Sequence, residues 1–183
     1  MKKKGIKSNK GFTLVELIVV LVILAILAAI LVPALLGYID SARNKQTLLN
    51  ARSAMTAAQA ELSAIYGTSA GVPGDIAKPD TGTSVHNENL KKTADFDNLT
   101  PKTTVFKVAC AENYPEGGPE TGKTRKDYHK AFTVNYVYYK DESAEVWYIN
   151  GEWVDNGKDY KPTTTVYTVL DEGTTSGGGT TGG

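Results

Sequence analysis

The 183-residue chain is 41% hydrophobic and formally neutral, but neither property is evenly spread along it. Its first eleven residues hold five lysines (Lys2, Lys3, Lys4, Lys7, Lys10) and no acid, which leaves 15 basic against 20 acidic side chains in the remainder. A basic cluster at the flank of an apolar run is not a folded basic face, so nucleic-acid binding has little support, and the lone Cys110 excludes an intramolecular disulfide.

The apolar run begins at Leu17 and ends at Leu36 without a charge. As a helix its twenty residues would span about 30 Å, one bilayer core. The lysines before it favour a cytoplasmic N-terminus. An ordinary secretory signal has a shorter apolar core followed by small residues at a cleavage site, whereas this run is long and continues into residues of helical character. Two residues do not suit a plain membrane anchor. Glu16 stands at the edge of the run, where a carboxylate driven deeper would cost on the order of 3 kcal/mol and so calls for a partner. Pro33 removes a backbone hydrogen bond within the helical pattern and is expected to kink or loosen it.

The residues Lys10-Gly11-Phe12-Thr13-Leu14-Val15-Glu16-Leu17, followed by the apolar run, resemble the class III leader junction of type IV pilins. The likeness covers about residues 8–45, and Pro33 falls where pilin helices commonly have a proline. The resemblance implies cleavage between Gly11 and Phe12 by a membrane prepilin peptidase, then N-methylation of the new Phe12 amine. A glycine before the scissile bond gives a peptidase close backbone access. The Glu16 carboxylate would then face that amine on its own chain or on a neighbour, and so set the register between subunits. Many Gram-negative pilins close a C-terminal loop with a disulfide. This chain has no second cysteine, a departure that points to a Gram-positive envelope.

Beyond Pro33 the helical character continues to about Tyr66. Leu48, Ala51, Met55, Ala58, Leu62 and Ile65 form one apolar stripe, with Arg52, Ser53, Thr56, Gln59 and Ser63 off it. A helix from Phe12 to Tyr66 would be about 80 Å long, so its apolar half is expected to project. Gly67 is a reasonable stop. Residues 67–101 read as loop-rich, with Pro73-Gly74, Pro79-Asp80 and Gly82. Strands are expected over 103–109, 132–139, 145–149 and 163–170, with Asn150-Gly151 turning a hairpin toward Trp153 and Val154. Three or four of these would form an antiparallel meander packed on the helical stripe. The Gly/Thr/Ser-rich residues 173–183 read as a flexible tail.

A search for catalytic chemistry comes back empty. His86, His129 and Cys110 lack metal-ligand spacing, and no phosphate loop or hydrolase motif is present. Asp95-Phe96-Asp97-Asn98 lacks the glycine and terminal glutamate of a calcium loop. Asn98-Leu99-Thr100 fits the glycosylation pattern but is followed by Pro101. Tyr136, Tyr138, Tyr139, Trp147, Tyr148 and Trp153 read as sheet core in preference to an adhesive face.

The resulting expectation is an α+β chain, not an enzyme, with no metal or other cofactor. Its parts are a leader (1–11), an apolar transmembrane and filament-core helix (12–36), an amphipathic helix (37–66), a loop and sheet head (67–172) and a tail. The resemblance implies a pilus subunit, held in the cytoplasmic membrane and then displayed on the surface for adhesion, motility or biofilm formation. Its implied partners are further copies of itself, the prepilin peptidase, an assembly ATPase and a membrane platform protein. A pseudopilin of a secretion or competence system and a single-pass anchored binding domain are the alternatives.

Overall fold

The computed structural model describes residues 11–68, 71–78, 86–94 and 104–171. Most of the leader, Pro79-Asp80, Gly82, the acidic loop 95–98, the Asn98-Leu99-Thr100 pattern and the tail 173–183 therefore lie outside the described residues. The fold is α+β, as expected: a long N-terminal helix and a five-stranded antiparallel sheet. The chain divides into two compact units, residues 1–42 and 43–183. Helix α1 (Leu14–Gly67) contributes to both and runs through Pro33 without a break in its helical assignment.

In the first unit every described side chain is exposed, and this exposure extends along α1 as far as Gln46. The second unit begins its core at Thr47, which is 1% exposed. From there α1 buries Thr47, Ala51, Ala54, Ala57, Ala58, Leu62 and Ile65. The expected stripe holds at Ala51, Ala58, Leu62 and Ile65, whereas Leu48 and Met55 are only partly buried. Leu48 and Met55 fall on the flank of the buried face, which is centred on Thr47, Ala54, Ala58 and Ile65. Four alanines make a flat face on a strongly helix-forming segment, against which other elements can approach closely.

That face shares one core with Phe106, Val108, Val137, Tyr139 and Val146 from the sheet. The strands are β1 (Val105–Cys110), β2 (Val134–Lys140), β3 (Glu145–Ile149), β4 (Glu152–Val154) and β5 (Val166–Leu170). The first four form the expected meander. β5 does not extend it: the order is β4-β3-β2-β1-β5, so the last strand returns to pair antiparallel with β1. Phe132, expected in a strand, instead ends a 3-10 segment (Arg125–Phe132), and the strand begins two residues later. Thr164 and Thr165 likewise precede β5. Their hydroxyls are committed elsewhere, Thr164 donating to the Cys110 carbonyl (2.7 Å) and Thr165 to Asn113 Oδ1 (3.1 Å).

Three polar ties hold the buried part of α1. Thr47 Oγ1 donates to Asp141 Oδ1 in the β2–β3 turn (2.9 Å). Gln59, expected off the stripe, donates to the Phe132 carbonyl (3.0 Å) and accepts from the Val134 N–H (2.9 Å), fixing the start of β2. Arg125 Nη2 donates to the Ile65 carbonyl (2.6 Å), with its guanidinium over the rings of Phe132, Tyr66 and Tyr114. The Ile65 carbonyl also accepts from Thr68 N and Oγ1. The helix therefore ends where Gly67 suggested, but by donors converging on a terminal carbonyl.

The expected loop region contains a 3-10 helix (Pro73–Ala77) and α2 (His86–Thr93). Pro73 occupies the first turn, where its missing N–H costs nothing, while buried Ile76 and Leu90 tie these pieces to the core. At Asn150-Gly151 both residues have positive φ (49° and 99°), the type I′ geometry expected of that hairpin.

Candidate processing and assembly site

The N-terminal junction is built around the first turn of α1. Gly11, Phe12 and Thr13 precede the helix, and Phe12 is 81% exposed. The Thr13 N–H donates to Glu16 Oε2 (2.8 Å), and so does the Thr13 hydroxyl (2.8 Å). In return the Glu16 N–H reaches Thr13 Oγ1 (3.3 Å). This is a capping box: two helix-start N–H groups that no backbone carbonyl can satisfy are bonded reciprocally by a threonine and a glutamate three residues apart. The helix dipole adds to the effect, since a carboxylate is favoured at an N-terminus.

Glu16 therefore has a local role that the reading of it as a lone charge at a membrane edge did not include. The signal was present in Thr13-Leu14-Val15-Glu16, the S/T-x-x-E pattern of a capping box. The box starts the helix at Leu14 and leaves the Gly11–Phe12 bond outside it. Both side-chain bonds converge on Oε2. Among the described residues Oε1 makes no hydrogen bond.

The structure thus brings Phe12, Thr13 and Glu16 together at one helix end. Leu17 opens the apolar stretch directly after them, Leu36 closes it, and Pro33 lies near its far end. Among the described residues α1 is the one helix long and apolar enough to cross a membrane.

Outside this junction several titratable groups among the described residues have structural roles. Cys110 is buried in β1, and burial pushes its thiol up to about 12, away from the reactive thiolate. Exposed His129 has Nδ1 3.3 Å from the Lys126 carbonyl, and no three potential metal ligands cluster among the described residues. The sheet aromatics are core: Tyr139, Trp147 and Tyr136 are buried, and Tyr138, Tyr148 and Trp153 pack against the two hydrophobic clusters. On the sheet face away from α1, Gly157 lies against Trp147, Tyr160 stacks on Tyr136, and Lys158 pairs with Glu145 (2.6 Å). That lysine hydrogen bond is the main reason the Glu145 carboxyl is held below its ordinary range, with Tyr138 OH also donating to it.

Residues 6–32 match the family model of the prokaryotic N-terminal methylation motif. The match covers the leader junction and the start of the apolar helix, and with that helix it is the N-terminal pattern of type IV pilin-like and pseudopilin-like proteins, whose leaders a prepilin peptidase removes. The matched motif is a structural one and does not describe an enzyme family. Comparison with curated proteins and with solved structures finds no match.

Proposed function

We propose that the chain is the structural subunit of a type IV pilus, made as a membrane-inserted prepilin with its N-terminus in the cytoplasm. The leader is cut between Gly11 and Phe12, the new Phe12 amine is methylated, and the subunits polymerise into a surface filament. One observation carries this reading. The methylation motif coincides with an apolar helix whose side chains are exposed among the described residues, Leu14 and Ile30 being 72% and 69% exposed. Such a surface needs lipid first and other copies of the helix afterwards.

Transfer from lipid to a helical filament core is nearly even in hydrophobic terms, because one apolar surrounding replaces another. Assembly then depends on specific pairing, and on work done by an ATPase and its platform protein. Cleavage leaves a positive amine on Phe12, and Glu16 supplies the negative partner. With Oε2 holding Thr13, Oε1 is available to the amine of a neighbouring subunit and would set the register between them. Pro33, which cannot donate to the carbonyl of Ala29, gives the helix a point of local loosening for packing.

The test is the N-terminus of the native protein, by mass and by sequencing, together with electron microscopy of cells with and without the chain. The expected result is N-methylated Phe12 in long surface filaments that vanish with the gene. Processed subunits confined to short envelope structures would mark a pseudopilin instead. A chain still starting at Met1, or cut after residue 36, would sink the reading altogether.

A further inference from the structure

We draw no further inference here: the strongest candidate, the exposed face of α1 that carries Tyr38 beside Ala34, Gly37 and Ser41, continues the apolar surface already assigned to subunit packing, and nothing in the structure shows what else covers it.

Discussion

The two stretches of α1 solve opposite problems with the same backbone. From Leu17 to Leu36 the helix carries mainly large aliphatic side chains and buries none of them. From Thr47 it makes a core, and four of its seven buried residues there are alanines. Side-chain size therefore does not follow burial within the chain. Bulky exposed residues are useful where the partner is outside the molecule, whether lipid or another copy. Small buried ones are useful where a sheet of the same chain must come close. Polar groups divide in the same way. Glu16 and Thr13 satisfy the helix start locally, whereas Thr47, Gln59 and the Ile65 carbonyl are satisfied by residues far along the sequence.

If this contrast is right, changes in the first stretch should abolish assembly without unfolding the head. Glu16→Val should leave a processed, membrane-held subunit and reduce filaments at least about tenfold, a loss of ~1.4 kcal/mol or more in the assembly equilibrium. Glu16→Gln separates the two roles of this side chain, because glutamine still completes a capping box but carries no charge. Filaments as scarce as with valine would assign the effect to charge. Restored filaments would assign it to the cap and end the registration proposal.

Changes in the second stretch should do the reverse. Leu62 is fully buried, so Leu62→Ala should cost the head about 2–5 kcal/mol. Chemical denaturation of a fragment beginning near residue 43 would measure it. Leader cleavage of the full-length chain should be unaffected, and a processing defect would blur the division between the regions.

Gly157→Ala sharpens the comparison inside the head. A Cβ there would sit 2.5 Å from Trp147 Cγ, so the outer cover must shift, at about 1–3 kcal/mol. Tryptophan fluorescence should report the change at Trp147, and an unchanged spectrum and stability would show that the cover yields freely.

The smallest effect concerns Glu145. Its carboxyl is depressed in the folded protein, so the stabilisation is present above the ordinary carboxylate range. It fades as pH falls through the depressed value, where the folded state must take up the proton. The pair with Lys158 is largely exposed and should contribute only ~0.5 kcal/mol. The stability gap between wild type and Glu145→Gln should therefore close on acidification, and a constant gap would assign it to packing.

Much of this was legible in sequence, for physical reasons. The apolar run, the Asn150-Gly151 turn and the alternation in β2 are local patterns, and local patterns survive into the structure. The return of β5 to β1 is not local, since either sheet edge accepts an alternating strand. Gln59 is polar and was placed off the stripe, yet its amide is the group that can serve both the Phe132 carbonyl and the Val134 N–H. The segment from Arg125 to Phe132 carries its signal in Thr124 and Asp127: the Thr124 N–H and hydroxyl both donate to Asp127 Oδ2 where the 3-10 turn starts. At the junction, the Thr13–Glu16 box is a local S/T-x-x-E pattern, readable in the sequence independently of any membrane cost.

Cys110 has a practical consequence. A head whose one thiol lies inside β1, 3% exposed, carries its own clock for local opening. A thiol reagent reaches that sulfur only when the core around it opens. In excess reagent, the labelling rate therefore reads how often this end of β1 is uncovered. The same measurement on free subunits and on the proposed filaments would show whether assembly quiets a strand far along the sequence from the apolar helix.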